Sequence, residues 1–429
     1  MSVGAKLKGA AIGAYLGGGP AMRRAWEGTK RALGRGPRTV TFHHQVDDPW
    51  SHLLAQALVT FRARFPAVDL RMVVVPPPAA DADPEPQKRR AWALRDATAL
   101  AARHGLHFPT PAELPAEDRL RRANAVLLLD RPVDAQLDAA IRVGDALFRG
   151  DGDAVAELVR ELGTVPGQRV RPALESNYAR LRKAGHYQGA MLEHDGEWFW
   201  GVDRLPYLAQ RVGGEEAAPL LPVARREAPA APGEPLEVFF SFRSPYSYLT
   251  IARLWAAHQE SPLPLRLRPL LPMVTRGLPV PRDKRLYIVK DAKREADRLG
   301  LPFGRICDPL GEGVERCLRV FLAVEAAEGT SAALRFAAEA YAGIWSRAVD
   351  VASDAGLAEV AAAAEVEAHV EGALATEGWR QVVEANRDAL SELGLWGVPS
   401  FRHGDWIAWG NDRLDWALER CARPPVVGG

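Results

Sequence analysis

The sequence predicts an α/β protein made of two units that share one order of elements. In each half, a run of strand-forming residues stops at a turn with a proline, and an apolar pattern at helical spacing follows. Each half then passes through a second strand and a long helical region, and it closes with a short hairpin and a helix. The length of 429 residues also favours at least two domains over one.

The composition is that of an ordinary soluble globular protein, with 47% hydrophobic and 25% charged residues. A net charge of +1 gives no electrostatic reason to expect nucleic acid as a partner, and no apolar run is long enough to span a membrane. The three cysteines, Cys307, Cys317 and Cys421, form neither a disulfide framework nor a CxxC pair. The sequence therefore favours a reducing, cytoplasmic setting and disfavours a disulfide oxidoreductase.

Residues 1–37 are predicted to be a leader outside both units. Two lysines precede a short, weakly apolar stretch that ends in Gly-Gly-Gly-Pro, and its glycine content disfavours a signal peptide. The basic residues between positions 22 and 35 allow a basic surface helix, whereas a solvated helix or a mobile leader is the simpler interpretation.

The first unit is predicted over residues 38–212. Its predicted elements are strands at 39–44 and 68–75 around a helix at 50–64, a helical region from 88 to about 163, a helix-like piece after 176, a hairpin at about 189–200 and a helix from about 203. Residues 213–235 are rich in Ala, Pro and Glu and have no periodic apolar pattern. They are predicted to be a linker.

The second unit is predicted over residues 236–424 and begins near the stretch VFFSFRSPYSYLTIARL. Its first strand stops at Arg243, so Ser244 is a natural N-cap and Pro245 a natural first helical residue. The serine hydroxyl then lies at the positive end of a helix, just beyond the C-terminal end of a strand. Open α/β sheets bind ligands at that place, and an anion is stabilised there.

Three ordered matches within the chain indicate a tandem duplication. Matching Pro49 to Pro245 puts Asp48 opposite Ser244. Residues 89–109 match 284–303, and residues 185–205 lie without a gap on 394–414. The two units are therefore expected to have the same fold.

Four groups of residues in the second unit resemble the 2-hydroxychromene-2-carboxylate isomerase family, which is close to the kappa-class glutathione transferases. They are SFRSPYSYL, Lys284-Arg285-Leu286-Tyr287 with Asp291 leading into GLPF, Trp345 with Asp350, and GLWGVPSFRHGDWIAWGNDRL. Both families belong to the DsbA-like group of thioredoxin folds with a helical insertion. Together with the internal repeat, the resemblance implies two thioredoxin-like domains, each with a helical insertion.

The resemblance implies glutathione as the cofactor and Ser244 as the catalytic residue that hydrogen-bonds its sulfur. A thiol is a nucleophile as the thiolate, and a hydroxyl donor together with a helix N-terminus stabilises that thiolate. In the family's reaction the thiolate adds to the chromene or its open-chain form, allows a bond to rotate and leaves again. The implied function is a glutathione-dependent isomerase or transferase that acts on a small electrophilic substrate, which is aromatic in the family.

The same resemblance implies the other cofactor-binding residues. Val398-Pro399 matches the segment whose proline is cis in thioredoxin-like folds and whose preceding residue pairs its backbone with glutathione. Asn411 and Asp412 match positions that hold the γ-glutamyl end, where a carboxylate suits an ammonium group. Lys284 is a candidate for the glycine carboxylate, and a solvated helix lysine is an equal alternative.

The first copy departs from this pattern and is predicted to be degenerate. Asp48 replaces the serine, and a carboxylate beside a thiolate raises the pKa of the thiol. Ala190 replaces the proline, and a cis bond before alanine costs about 3 kcal/mol. His43, His44 and His52 cluster near the turn without a clear ligand set, so no metal site is predicted.

Each feature of the second unit also has a purely structural explanation. A Ser-Pro pair is a good helix start, and Asn411-Asp412 is a good N-cap pair. The alternative function is therefore a non-catalytic binding or scaffold protein in which both units have lost their chemistry. Residues 304–309 depart from the family where the substrate side is expected, so the substrate stays open, as does packing of the two repeats as a pseudo-dimer.

Overall fold

The computed structural model describes residues 38–214, 219–230 and 234–421. The predicted leader, residues 1–37, lies outside the described residues. Of those described, the residues up to Arg226 together with Pro281–Lys284 form one compact unit, and Glu227–Val280 with the residues from Arg285 onward form the other. None of the described helices combines the length and the apolar character that crossing a membrane requires.

The first unit contains a four-stranded sheet of order β2-β1-β3-β4, in which β1 runs parallel to β2 and antiparallel to β3. Five helices separate β2 from β3. The elements are β1 (Arg38–Gln45), α1 (Pro49–Arg64), β2 (Val68–Val75), α2 (Pro86–His104), α3 (Glu117–Leu127), α4 (Val133–Phe148), α5 (Gly152–Leu162), α6 (Gly167–Ala184), β3 (Met191–His194), β4 (Glu197–Trp200) and α7 (Gly201–Gly213).

The second unit has a sheet of the same order and directions, β6-β5-β7-β8. Its elements are β5 (Leu236–Phe240), α8 (Pro245–Glu260), β6 (Leu265–Pro269), a 3₁₀ turn (Met273–Arg276), α9 (Arg282–Arg298), α10 (Glu312–Glu328), α11 (Thr330–Ala342), a π-helical turn (Gly343–Arg347), α12 (Asp354–Ala363), a 3₁₀ turn (Glu367–His369), α13 (Val370–Ala375), α14 (Trp379–Glu392), β7 (Ser400–His403), β8 (Trp406–Trp409), a 3₁₀ turn (Asn411–Arg413) and α15 (Leu414–Arg420). The predicted α/β class is confirmed.

The two sheets correspond residue by residue. The antiparallel pairing joins Phe42 to Leu192 in the first unit and Val238 to Phe401 in the second. These pairs are related by the same offsets as the sequence matches that align Pro49 with Pro245 and residues 185–205 with 394–414. The hairpin strands β3 and β7 begin and end at matched positions, as do β4 and β8.

Aromatic packing fixes the end of β5, from which the candidate turn emerges. All five residues of β5 are buried, as expected for a central strand covered on both faces. Phe240 packs edge-on against Phe321 at 5.3 Å between ring centroids, and Phe242 stacks on Tyr341 at 5.3 Å. Such buried aromatic contacts hold the chain firmly up to the residue before the turn.

The described part of the predicted linker has neither helix nor strand beyond Gly213, the last residue of α7, and it divides between the two units. The Ala224 amide donates to the Arg103 carbonyl at 2.7 Å within the first unit. The Ala230 amide donates to the Arg420 carbonyl at 2.8 Å within the second. The backbone of this stretch is therefore held at both of its ends.

Candidate functional site

Ser244 is the N-cap of α8, as the sequence predicted, and Pro245 follows at the first helical position. The Ser247 amide donates to Ser244 Oγ at 3.1 Å. This bond uses the hydroxyl oxygen only as an acceptor, so its proton remains available for donation to a ligand. The side chain is partly exposed, which makes that donation possible.

Hydrogen bonds to buried side chains hold the rest of the turn in place. Ser247 is buried, and its Oγ accepts from the Ser241 amide at 3.4 Å. The hydroxyl of Tyr246 donates to Asp291 Oδ2 at 2.8 Å, and Arg294 donates to the other oxygen of that buried carboxylate at 2.9 Å. The Asp291 that the sequence comparison singled out therefore holds the first turn of α8.

The Val398-Pro399 peptide bond is cis, as predicted. The Pro399 carbonyl accepts from the Gly410 amide at 2.9 Å, which joins this segment to the end of β8. Gly397 comes so close to the Trp409 indole that an added Cβ would lie 2.6 Å from its Nε1, so only glycine fits there. Val398 is partly exposed, and no backbone hydrogen bond links it to another backbone group of the described chain.

The sheet register brings the Ser244 turn and the cis segment to one edge. Phe239, near the end of β5, is paired with Ser400, the first residue of β7. The chain leaves β5 toward Ser244 where it enters β7 from Pro399, so both lie at the same end of neighbouring strands. Backbone groups and a hydroxyl thus converge at the carboxyl end of the central strand, where ligands bind in sheets of this kind.

Asn411 and Asp412 lie at that same edge, in the 3₁₀ turn that follows β8. Asn411 is buried, and its Oδ1 accepts from Thr250 Oγ1 on α8 at 3.2 Å. Its Nδ2 is buried and has no hydrogen-bond partner among the described residues. Asp412 is partly exposed, so of the two side chains it is the one accessible to an ammonium group.

Lys284 lies elsewhere, in the first turn of α9, which belongs to the first compact unit although the rest of that helix belongs to the second. Its Nζ donates to the Ala82 carbonyl at 2.8 Å and lies 5.8 Å from the centre of the Tyr187 ring. Burial lowers the pKa of this ammonium group. Its assignment to the glycine carboxylate stays a prediction, and it would require the bond to Ala82 to break.

An ion pair beside the turn was missed by the sequence reasoning. Arg243 donates to Asp308 through two parallel bonds, Nε to Oδ1 and Nη2 to Oδ2, each 2.8 Å long. Burial opposes ionisation of Asp308, but the hydrogen bonds and charge of Arg243 outweigh it and lower the pKa of the carboxyl. The signal available in the sequence was the charged residue directly before the cap, although nothing in it pointed to the partner.

Two of the cysteines of the second unit are too deeply buried to provide a nucleophile at this site. Cys307 and Cys317 are both buried, and burial raises the pKa of the Cys317 thiol to about 12. No group of three or more His, Cys, Asp or Glu side chains in the described part of the chain is arranged to hold a metal ion. The chemistry of the turn therefore depends on a hydroxyl and on backbone groups.

The matching turn of the first unit is buried, and its serine hydroxyl is hydrogen-bonded within the chain. Asp48 caps α1 and accepts from both the amide and the hydroxyl of Ser51, at 3.1 and 2.9 Å. Ala190, at the position of Pro399, has a φ of 53° and donates its amide to Ser51 Oγ at 2.8 Å. Burial raises the pKa of Asp48 to about 6 even though Arg89 and Ser51 act in the opposite direction.

Comparison with protein families matches residues 235–421 to the DsbA-like thioredoxin domain. The C-terminal region therefore has a DsbA-like thioredoxin fold, and the N-terminal part contains a second sheet-and-helix module. No curated relative matches the chain in sequence.

Solved structures with a similar chain include a 2-hydroxychromene-2-carboxylate isomerase, 25% identical over 44% of this chain and 93% of its own, with a TM-score of 0.37. They also include the cytosolic disulfide reductase DsbM from Pseudomonas aeruginosa, 21% identical over 40% of this chain and 87% of its own, with a TM-score of 0.32. The structure of DsbM with GSH is 20% identical over 44% of this chain and 95% of its own, with a TM-score of 0.32.

Proposed function

We propose that the second unit binds glutathione at the Ser244 turn and catalyses a glutathione-dependent isomerisation or transfer on a small, aromatic electrophile. The observation that carries the proposal is the partly exposed Ser244 hydroxyl at a helix N-terminus, at the same sheet edge as the cis Val398-Pro399 segment. The resemblance of the surrounding motifs to the isomerase and kappa-class families supports the choice of cofactor.

The residues present fit a thiol tripeptide. The Ser244 hydroxyl has a proton to donate to sulfur, and the amides at the start of α8 add a positive potential, so a thiolate is favoured over a thiol. Val398 offers an amide and a carbonyl for pairing with an extended peptide. Asp412 suits the γ-glutamyl ammonium, and the orphaned Nδ2 of Asn411 is a donor in need of an acceptor at the same edge.

Bound glutathione would supply a nucleophilic sulfur that adds to the electrophile and can leave again. Ser244 holds that sulfur by a hydrogen bond and lowers the free energy of its charged form. Val398 and Asp412 orient the two ends of the peptide. Because the Ser244 oxygen is already fixed by the Ser247 amide, little reorganisation of the turn is needed when the sulfur arrives.

We also propose that the first unit is a degenerate copy from a tandem duplication and has no glutathione site. The two sheets share one strand order, and their registers are related by the offsets of the sequence matches. Trp50 Nε1 donates to Asp96 Oδ2 at 2.8 Å, which is the counterpart of the bond between Tyr246 and Asp291. The Ser51 hydroxyl already donates to Asp48 and accepts from Ala190, so it is not available to a thiol.

Two substitutions at Ser244 test the catalytic assignment. Ser244→Ala removes the hydroxyl and a good cap, whereas Ser244→Gly removes the hydroxyl and keeps a tolerable cap. Loss of the hydroxyl should lower the turnover of 2-hydroxychromene-2-carboxylate with glutathione about 100-fold in both variants. Circular dichroism checks the fold.

Calorimetric titration of glutathione into the full chain separates this proposal from the scaffold alternative. Binding to the wild-type chain is expected, and a chain that releases no heat with glutathione would support the scaffold. Unchanged turnover in both Ser244 variants would remove the role given to the hydroxyl.

A further inference from the structure

The residue directly before the helix cap carries opposite charges in the two units. The alignment that matches Pro49 to Pro245 places Asp47 opposite Arg243. Asp47 accepts from the side-chain amide of Gln45 at 3.0 Å and forms an ion pair with Arg90. The turn of the first unit therefore begins with two carboxylates, whereas the turn of the second begins with a guanidinium and a hydroxyl.

The guanidinium of Arg243 is held in one orientation. Its Nε and Nη2 both donate to Asp308, and Asp308 Oδ1 also accepts from the Leu310 amide at 3.2 Å. A two-bond fork of this kind fixes the plane of the guanidinium as well as its position. The Arg243 side chain is only 19% exposed, so solvent screens its charge less than that of a free surface arginine.

The other charges around the turn do not cancel this positive charge. The buried carboxylate of Asp291 is already bonded to Arg294 and to the Tyr246 hydroxyl. Arg285 adds a second positive charge that acts on Asp308. Asp412 is the remaining carboxylate of the candidate site, at the far side of the hairpin in sequence. Asp291 and Asp308 therefore each have an arginine partner.

We propose that Arg243, fixed by Asp308, is a positioning residue that stabilises a thiolate at the Ser244 position, and that Asp308 limits this effect. A thiol there would release its proton to solvent and leave a negative sulfur on the residue that directly follows the fixed positive charge of Arg243. Asp308 lies on the loop between α9 and α10, so this loop sets the electrostatics of the turn. The inference deepens the proposed function, on which its biological use depends.

The test uses Ser244→Cys as an internal reporter in the full chain, so it does not need glutathione. The ultraviolet absorbance of the thiolate is followed against pH, with Ser244→Ala subtracted as the background of the native cysteines. Adding Arg243→Met should raise the pKa of the reporter thiol by about one unit. Adding Asp308→Asn, which keeps the arginine but removes its counter-charge, should lower that pKa.

Because the two substitutions should shift the pKa of the reporter in opposite directions, a structural change of the loop alone cannot explain both results. Both second substitutions break the same fork, so a purely structural role would move the pKa of the reporter in one direction. Arg387→Met, which removes an arginine from an exposed ion pair with Asp388 on α14, serves as the charge control and should leave it unchanged.

A reporter pKa that does not rise in the Arg243→Met variant would overturn the inference and leave the glutathione proposal standing. Failure of the wild-type chain to bind glutathione would overturn the glutathione proposal and leave the role of Arg243 standing, because the reporter does not depend on the cofactor.

Discussion

The two turns of this chain solve the same structural problem with different chemistry. Asp48 and Ser244 both cap a helix that begins with proline, and both accept from the amide three residues on. Asp48 is 3% exposed and is also bonded to the Ser51 hydroxyl, whereas Ser244 is partly exposed and keeps its proton. Capping therefore does not require a serine at this position, and the hydroxyl proton that Ser244 keeps is what distinguishes the second turn from the first.

The two units also differ at the position before the hairpin, where the second has Pro399 and the first has Ala190. Pro399 has no amide proton, but Ala190 has one, and a buried amide needs an acceptor. Ser51 Oγ supplies that acceptor at 2.8 Å. In the second unit the matching hydroxyl of Ser247 is spared this bond and lies next to the Tyr341 hydroxyl. The alanine in place of proline and the engaged Ser51 hydroxyl are thus two parts of one hydrogen bond in the first turn.

The largest expected difference between the units is their response to acid. Burial lowers the pKa of His43 to about 4 and that of His44 to about 3, and it lowers the pKa of His186 as well. Below pH 6.5 the unfolded chain takes up protons that the folded unit refuses, so stability falls as pH falls. The loss should be on the order of 5 kcal/mol between pH 7 and pH 4.

Hydrogen exchange followed by mass spectrometry, corrected for the intrinsic pH dependence of exchange, resolves the two units. Peptides from β1 should lose protection at a higher pH than peptides from β5. His44→Leu should weaken the pH dependence of the first unit. Loss of protection in both strands at the same pH would contradict this prediction.

Placing the cap residue of the first unit in the second unit tests most directly whether the carboxylate abolishes the proposed activity. Ser244→Asp keeps a good N-cap but places a carboxylate where the sulfur of glutathione would lie. Repulsion disfavours the thiolate, so turnover should fall at least about 100-fold, with a normal circular dichroism spectrum. Measured kcat and KM values check it, and activity within a few-fold of the wild type would show that the carboxylate of Asp48 is not what disarms the first turn.

The raised pKa of Asp48, about 6, predicts a smaller and opposite pH effect. Between about pH 4 and pH 6 the folded unit keeps a proton that the unfolded chain releases, so this group's contribution to stability falls as pH rises. Asp48→Asn keeps the cap and should remove about 2 kcal/mol of that dependence. Urea unfolding followed by hydrogen exchange measures this pH dependence of stability. Ser244→Asn, the same change at the uncharged cap of the second unit, is the control, and no change in pH dependence is expected for it.

The smallest expected effect concerns the buried hydrogen bond from an aromatic side chain to an aspartate that both units contain. A double-mutant cycle with Tyr246→Phe and Asp291→Asn should give a coupling free energy of about 1 kcal/mol in the second unit. The cycle with Trp50→Phe and Asp96→Asn should give a coupling of the same sign and size in the first. A coupling in only one unit would show that the two buried bonds are not equivalent.

Local features of the site could be predicted from the sequence, and contacts between distant segments could not. The Ser244 and Asp48 caps follow from a Ser-Pro or Asp-Pro pair before an apolar pattern. The cis segment was implied by the resemblance of Gly-Val-Pro to the matching segment of thioredoxin-like folds. The pair of Arg243 with Asp308 joins residues 65 positions apart. Lys284 meets a carbonyl 202 positions earlier. No periodicity encodes such partners.

The helices show the same limit on a smaller scale. The sequence predicted a helix-like piece only after residue 176, but α6 begins at Gly167. Pro172 lies inside this helix, where it removes only one backbone hydrogen bond near the helix start. The π-helical turn at Gly343–Arg347 was not predicted either, because its apolar pattern is that of an ordinary helix end.

The buried carboxylates of Asp96 and Asp291 have a consequence for how this chain can change over generations. Each accepts a bond from an aromatic ring at the second position after the cap, an indole in one unit and a phenol in the other. The acceptor is aspartate in both units and the donor differs, so we expect the donor to be interchangeable and the acceptor not. Mutational tolerance should therefore be asymmetric: at positions 50 and 246 tryptophan and tyrosine should be mutually acceptable, whereas positions 96 and 291 should admit little besides aspartate.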